Sequence, residues 1–193
     1  MMCEYYELHA KLYAEETFSA DMSEQYRRFL PLLRERARIL DVGSGSGRDA
    51  CYFQKKGYQV TALEPSKNLC REIRKVFSGK IVCSDIQSYR PNQRFDGIWA
   101  CASLLHVPEK ELSAILKKIA RALKDSGILY MSFKLGDFEG FRGERYFCDY
   151  TEDAMEEVLK DNDRFDVVKI WETEDVRSGH SDTRWLNVLV RKQ

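Results

Sequence analysis

Apolar positions along this chain follow two spacings, one typical of helices and one typical of short buried strands. Helical spacing is clearest over 108–123, where Leu112, Leu116 and Ile119 lie on one face. The apolar run over 127–133 is instead typical of a strand buried on both faces. We predict helices over 5–16, 22–33, 49–56, 66–77, 108–123 and 152–160, and strands over 38–42, 59–63, 80–83, 95–101, 127–133, 165–171 and 185–191.

This order of elements predicts an α/β fold. Strands that alternate with helices indicate a mainly parallel sheet with helices on both faces. The last two predicted strands have no helix between them, so we expect an antiparallel return there. The length of 193 residues suits one domain with a substantial core, and we expect a single domain over 1–193.

A glycine-rich loop follows the first predicted strand, where residues 41–47 read D-V-G-S-G-S-G. Glycine has no Cβ atom, so such a loop lets the backbone lie close to a ligand. A second acid, Glu64, lies at the end of the next apolar run. In a doubly wound sheet ligands bind beyond the carboxyl ends of the strands, so Asp41 and Glu64 should face the same crevice.

These features resemble the class I S-adenosylmethionine (SAM)-dependent methyltransferases over residues 36–135. The family's first motif, D/E-x-G-x-G-x-G, matches 41–47, and its ribose-binding acid matches Glu64. Its adenine contact matches 84–86, and its fourth strand matches 95–101. The resemblance implies SAM as cofactor and S-adenosylhomocysteine (SAH) as product. The implied cofactor-binding residues are Asp41, Gly43, Ser44, Gly45, Gly47, Arg48, Glu64, Pro65, Ser66, Asp85, Ile86 and Cys101.

The same resemblance implies a Rossmann-like, doubly wound sheet of seven mostly parallel strands with an antiparallel last strand. It also implies a helical lid over 1–34 above a core over 36–193. A dinucleotide-binding domain is the nearest alternative, but its fingerprint G-x-G-x-x-G fits 43–48 poorly. Structural roles also remain open: the glycines as turn residues, Asp41 as a helix cap, and Arg48-Asp49 as a surface pair at a helix start.

The composition of the chain bears on which kinds of molecule it can bind. The 31 Lys and Arg residues balance the 31 Asp and Glu residues, which does not favour a broad nucleic-acid-binding surface. The six cysteines include no C-x-x-C pair, which favours a reduced, cytoplasmic protein. No apolar run reaches transmembrane length, so we expect no membrane partner. His9 and His180 have no metal-ligand companions at useful spacing, so we expect no metal site.

Candidates for catalysis and acceptor binding follow the fourth and fifth strands. His106 can act as a general base near neutral pH, or it can simply line the pocket. In the resembled family an N-terminal helix often places a tyrosine near the sulfonium, which favours Tyr13. The segment 133–147 is either a solvated loop or a lid whose cations meet an anionic group. The catalytic candidates are His106, Tyr13 and Arg145, and the substrate-binding candidates are Lys134, Arg142, Arg145, Tyr146 and Arg177.

The resemblance implies methyl transfer to a small molecule, with an anionic acceptor as one option. The position after the fourth strand reads C-A-S-L rather than the proline-rich motif of DNA amino-methyltransferases, which argues against that class. The start of the first core helix resembles the tellurite-resistance branch. A wobble-uridine tRNA methyltransferase is the alternative, since residues 103–106 resemble that branch, and a SAM-binding regulatory module without catalysis is another. The sequence leaves the acceptor atom, the need for a base, the pathway and the oligomeric state open.

Overall fold

A seven-stranded sheet forms the centre of the computed structural model, which describes residues 2–177 and 182–193. The helices are α1 (Met2–Leu8), α2 (Ala10–Thr17), α3 (Ser23–Phe29), α4 (Arg48–Lys55), α5 (Lys67–Val76), α6 (Glu109–Ala122) and α7 (Glu152–Lys160). The strands are β1 (Arg38–Val42), β2 (Gln59–Glu64), β3 (Lys80–Cys83), β4 (Phe95–Ala100), β5 (Leu123–Lys134), β6 (Glu139–Arg142), β7 (Arg145–Cys148), β8 (Phe165–Glu174) and β9 (Arg184–Lys192).

The strand order β3-β2-β1-β4-β5-β9-β8 confirms the predicted fold class. Strands β1 to β5 pair in parallel, and β9 inserts antiparallel between β5 and β8. The order reverses between β1 and β4, so the loops after these two strands border a crevice at the carboxyl edge of the sheet. The glycine-rich loop that follows β1 lies at this crevice.

Both faces of the sheet are buried, because successive side chains of a strand point to opposite faces. On one face Leu40 of β1 packs in a cluster with Leu116 of α6. On the other face Ile39 and Trp99 pack in a cluster with Phe53 of α4. The central strands therefore read as continuous apolar runs, which is why the sequence pattern identified them.

The N-terminal segment forms shorter helices than its pattern predicted. The first predicted helix is divided at His9 into α1 and α2, and the second ends as a 3₁₀ turn at Leu30–Leu32, which contains Pro31. The segment is attached to the core by Glu7, whose carboxylate accepts hydrogen bonds from Ser66 Oγ (2.6 Å) and the Asn68 amide (3.1 Å). Among the described residues, no helix has the length and apolar character needed to cross a bilayer.

A small hairpin occupies the segment after β5, where neither sequence interpretation included strands. The strands β6 and β7 pair antiparallel, and their last pair, Arg142 and Arg145, encloses a two-residue turn. Gly143 in that turn has φ +63°, a conformation that glycine adopts without steric cost. A parallel bridge between Leu135 and Tyr150 joins the segments that lead into and out of the hairpin.

Candidate active site

The glycine-rich loop after β1 turns through left-handed backbone conformations. Gly43 has φ +70° and Gly45 has φ +53°, which side chains with a Cβ rarely adopt. A Cβ atom on Gly43 would lie 2.5 Å from Ser103 Cβ, and one on Gly45 would lie 3.1 Å from Tyr13 Cε1. The bare backbone therefore lets two other segments close over the loop. Gly47 faces helix α5 instead, where a Cβ would meet Ile73 at 3.3 Å.

Glu64, at the end of β2, is bonded to the glycine loop. One carboxylate oxygen accepts a hydrogen bond from the Gly45 amide and the other accepts one from the Ser66 amide, each at 2.9 Å. Burial raises the pKa of Glu64 to about 7, although the two backbone bonds oppose this shift. Ser66 itself caps α5, since its hydroxyl accepts a hydrogen bond from the Leu69 amide at 3.0 Å.

Two cavities adjoin at the glycine loop. The first, here called the acidic cavity, has a volume of about 380 Å³ and is lined by Glu64, Pro65 and Asp85. The second, here called the basic cavity, has a volume of about 200 Å³ and is lined by Lys134 and Arg145, among others. Six residues line both cavities and mark the place where they meet: Tyr6, Tyr13, Gly43, Gly45, Ala102 and His106.

Asp41 lies beneath the loop, 2% exposed, and lines neither cavity. Its Oδ2 atom has no hydrogen-bond partner in the part of the chain that the structure describes. Burial raises the pKa of this carboxyl, and the nearby Asp49 raises it further. A buried acceptor without a partner is uncommon in native proteins, so a ligand cation or donor near the loop would satisfy it.

Arg48 and Asp49 form a buried pair, which the sequence left open as a surface pair. Asp49 accepts hydrogen bonds from Arg48 Nε at 2.6 Å, from Trp99 Nε1 at 2.8 Å and from the Tyr26 hydroxyl. Burial raises the pKa of Asp49, but the charge of Arg48 and these three donors outweigh it and leave the pKa lowered. The sequence signal that could have revealed this role is the buried Trp99, whose indole N–H needs an acceptor.

His106 lies where the cavities meet, and its tautomer follows from its contacts. Its Nδ1 is 2.6 Å from the Tyr146 carbonyl oxygen, which can only accept, so Nδ1 carries the proton. Nε2 therefore has a free lone pair and accepts a hydrogen bond from the Tyr6 hydroxyl at 2.8 Å. Burial, together with the charges of Arg145 and Lys134, lowers the pKa of His106 to about 4. The imidazole is thus neutral at physiological pH.

Two tyrosines of the N-terminal helices close the site from above. Tyr13 of α2, which the sequence singled out, lines both cavities and lies against Gly45. Tyr6 of α1, which the sequence did not single out, packs edge-to-face on Tyr13 with ring centroids 5.1 Å apart. The signal for Tyr6 was present only as one of several aromatic residues in the first helix.

Of the five substrate-binding candidates, three line the basic cavity and two do not. Lys134, Arg145 and Arg177 line the basic cavity, whereas Arg142 and Tyr146 line neither cavity. Arg142 instead forms two hydrogen bonds to Asp149, and the Tyr146 hydroxyl donates to Glu139. Their role in substrate binding stays a prediction, although neither contributes a side chain to the cavity walls.

The remaining candidates lie around the acidic and basic cavities. Asp85 lines the acidic cavity, with its carboxylate bonded to the Ser88 amide at 2.6 Å, while Ile86 is buried and lines neither cavity. Ser44 and Arg48 line the basic cavity with Cys101. Burial raises the pKa of the Cys101 thiol to about 12, so it is not a thiolate nucleophile. Gly47 and Ser66 line neither cavity.

Within residues 2–177 and 182–193, no group of three or more His, Cys, Asp or Glu residues is arranged to hold a metal ion. His180 lies outside the described residues.

The fold and the site geometry agree with a match to a known protein family. Residues 39–127 match the family model described as a methyltransferase domain. The predicted resemblance to the class I SAM-dependent methyltransferase family is thereby confirmed over residues 39–127, just under half of the chain. This family consists of enzymes that use SAM as the methyl donor, and the matched residues span the strand ends that form the acidic cavity.

Relatives of this methyltransferase domain act on different small molecules, as their names state. The chain is 26% identical to an (S)-coclaurine N-methyltransferase of Papaver somniferum, over 92% of this chain and 57% of that protein. It is 30% identical to a ubiquinone biosynthesis O-methyltransferase of Bradyrhizobium sp. (strain ORS 278), over 49% of this chain and 39% of that protein. The chain therefore spans less than two thirds of the length of either relative.

Among solved structures, the Burkholderia thailandensis 1,6-didemethyltoxoflavin-N1-methyltransferase superposes with a TM-score of 0.77. That crystal structure contains 1,6-didemethyltoxoflavin and SAH. The alignment covers 98% of this chain and 85% of that protein at 21% identity, a likeness that shows a shared fold.

Proposed function

We propose that this chain transfers a methyl group from SAM to a small-molecule acceptor. The single observation that carries the proposal is the pair of adjoining cavities, which meet at the glycine loop beside His106. One cavity offers carboxylates for a nucleoside, and the other offers a separate space for an acceptor. A methyl donor and its acceptor must meet at such a junction, since transfer needs the two reactants aligned.

The residues of the acidic cavity fit the nucleoside part of SAM. The two carboxylate oxygens of Glu64 retain lone pairs that could accept from ribose hydroxyls, and Asp85 could accept from the adenine amine. The unpartnered Oδ2 of Asp41 beneath the glycine loop suits the ammonium group of SAM, directly or through a water. These residues offer hydrogen-bond acceptors where SAM carries donors. The pyrophosphate of a dinucleotide would instead lie at the loop, where the carboxylate of Asp41 would repel it.

When bound, SAM supplies a methyl carbon that its sulfonium activates, and the electrons of the broken S–CH₃ bond leave with sulfur in SAH. The chain aligns the acceptor with that carbon and excludes water. Tyr6 and Tyr13 cover the junction of the cavities. His106 Nε2 can take a proton from a protonated acceptor when the Tyr6 hydroxyl gives up its hydrogen bond.

The acceptor space favours a small molecule over a macromolecule. The basic cavity is about 200 Å³ and is covered by the N-terminal helices. The balance of 31 basic and 31 acidic residues offers no excess charge for tRNA. We also propose that residues 1–34 act as a cover over a core formed by 36–193, within one domain over 1–193.

Titration calorimetry with SAM tests the donor site. We expect Glu64→Ala and Asp41→Ala to weaken SAM binding by at least about tenfold, because each removes an acceptor from the site. Glu111→Gln, on the exposed face of α6, serves as the control. Wild-type affinity in both site variants would refute the assignment.

A labelled-methyl assay then separates an enzyme from a regulatory module. Wild-type protein is incubated with labelled SAM and either a small-metabolite extract or total tRNA. Label in small molecules supports the proposal, label in tRNA supports the wobble-uridine alternative, and SAM binding without transfer to either supports the module.

A further inference from the structure

Five cations lie in or beside the basic cavity, and three of them already have carboxylate partners, the first being Arg48, which pairs with Asp49. Arg142 pairs with Asp149, and Arg177 pairs with Asp175 at 2.7 Å. The ion pairs formed by the described residues include neither Lys134 nor Arg145. Both of these side chains line the cavity, so two positive charges without an ion-pair partner face the same space.

The two cations share an aromatic floor, the buried ring of Phe147. Lys134 Nζ lies 5.0 Å from the ring centroid, and Arg145 Cζ lies 5.3 Å from it. Aromatic contact stabilises each cation only modestly and does not cancel its charge. Burial lowers the pKa of Lys134, and the neighbouring Arg142, Arg145 and Arg177 lower it further, while Asp149 opposes them only in part. A bound anion would relieve this repulsion.

Carboxylates of the cavity wall do not already fill that role. Asp49 is paired with Arg48, and Asp175 is paired with Arg177. Glu174 also lines the cavity but is exposed at the end of the edge strand β8. The net charge that Lys134 and Arg145 present to the cavity therefore stays positive.

We propose that Lys134 and Arg145 bind an acid group of the methyl acceptor, so that the acceptor is a small carboxylate or related oxyanion. The inference rests on the proposed function and names its substrate class. Guanidinium and ammonium groups both form short charge-assisted hydrogen bonds to such an anion. The phenyl ring of Phe147 provides an apolar surface for the carbon skeleton next to the acid.

The position of His106 orients this acceptor. Its ring centroid is 5.0 Å from that of Phe147, so the imidazole and the two cations surround the same ring. An acid group held by the cations leaves the rest of the acceptor beside His106, where the cavities meet. The bound anion would also offset the charges of Arg145 and Lys134, two of the causes that weaken His106 as a base.

Titration of simple probes into the SAH-loaded full chain tests the subsite. The probes are benzoate and its neutral match benzamide, which have nearly the same shape. We expect benzoate to bind at least about tenfold more tightly than benzamide. Lys134→Met and Arg145→Met should each weaken benzoate at least about fivefold while leaving SAH affinity and benzamide binding unchanged.

Matched variants guard against a folding artefact. Lys117→Met removes the same charge from the exposed face of α6 and should bind benzoate as the wild type does. Lys134→Arg keeps the charge and should retain most of the affinity. Equal binding of benzoate and benzamide, or wild-type benzoate affinity in Lys134→Met, overturns the inference.

The same experiment distinguishes the two proposals. If SAH does not bind the wild type, the proposed function fails, and benzoate and benzamide are then compared on the free protein. If SAH binds and benzoate shows no preference, only the acid subsite fails.

Discussion

Three buried carboxylates surround the glycine loop, and their environments give them different charge states. Asp49 is held ionised by Arg48 and its hydrogen-bond donors. Burial raises the pKa of both Asp41 and Glu64, the latter to about 7. Asp49 is thus a permanent partner within the fold, whereas Asp41 and Glu64 gain from a ligand that supplies positive charge or hydroxyl donors.

Glu64 should make SAM binding depend on pH. Ribose hydroxyls donate hydrogen bonds, so the ionised carboxylate is the binding form, and its pKa in the free protein is about 7. We expect the Kd for SAM to rise as pH falls below 7, by up to about tenfold per pH unit. Calorimetry between pH 5.5 and 8.5 measures the profile.

The Glu64→Gln variant should bind SAM more weakly at pH 8 and lose this part of the profile, while Glu111→Gln should keep it. An unchanged slope in Glu64→Gln would show that another group is responsible. The effect of Glu64 on the folding stability of the free protein has the opposite pH dependence to its effect on SAM binding. Because the folded pKa lies above the ordinary 4.5, ionisation of Glu64 lowers folding stability as pH rises from 4.5 to about 7.

Asp49 should matter for stability more than for chemistry. Asp49→Asn leaves the buried Arg48 cation without its partner, and breaking a buried pair typically costs about 3–5 kcal/mol. Urea unfolding followed by circular dichroism measures the change. The control, Glu72→Gln, removes the exposed pair with Lys75 and should cost less than about 1 kcal/mol. A loss below 1 kcal/mol for Asp49→Asn would contradict the argument.

At the scale of elements, hydrophobic periodicity correctly predicted the helices and strands that pack against the core. β3 and α7 have the predicted bounds. β3 has a short apolar run, and α7 begins after Thr151, whose side chain caps the helix. The hairpin of β6 and β7 was missed, since its strands have four residues each and only Phe147 and Cys148 among them are buried. β5 begins at Leu123 rather than at residue 127, because the polar residues 124–126 belong to the strand but carry no apolar signal.

The site residues also divide into those that local sequence motifs predict and those that they do not. Glu64 and the glycines follow from local motifs at strand ends, so the sequence placed them. Tyr6 and Asp49 depend on which helix face meets the core, and that is decided by tertiary packing rather than by any local spacing.

The carboxylate of Glu7 is one of the groups that hold helix α1 over the site, and its contribution can be tested on its own. Glu7→Ala removes the hydrogen bonds to Ser66 and Asn68 that hold α1 on α5. We expect faster amide exchange in α1 and faster SAH release, by roughly fivefold for the loss of about 1 kcal/mol. Hydrogen exchange and stopped-flow fluorescence measure the two rates. Glu4→Ala on the same helix is the control, and equal SAH release in both variants would contradict a latch at Glu7.

At the scale of the whole molecule, the two cavities are assembled from distant parts of the chain. Their shared wall combines Tyr6 and Tyr13 from the N-terminus, Gly43 and Gly45 after β1, and His106 after β4. No part of this wall exists in the unfolded chain. A ligand at the junction therefore binds the folded state alone and stabilises the entire fold by mass action.

Thermal unfolding with and without ligand tests this coupling and the choice of cofactor together. SAH at 100 times its Kd should stabilise the protein by about 2.7 kcal/mol, which raises the Tm of a chain of this size by roughly 5–10 °C. NAD at the same concentration should leave the Tm unchanged, because Asp41 lies beneath the loop where the pyrophosphate would bind. Glu64→Ala should lose most of the shift with SAH, and Glu111→Gln should keep it. A shift with NAD and none with SAH would mean that the glycine loop holds a dinucleotide and that the cavities had been assigned to the wrong ligand.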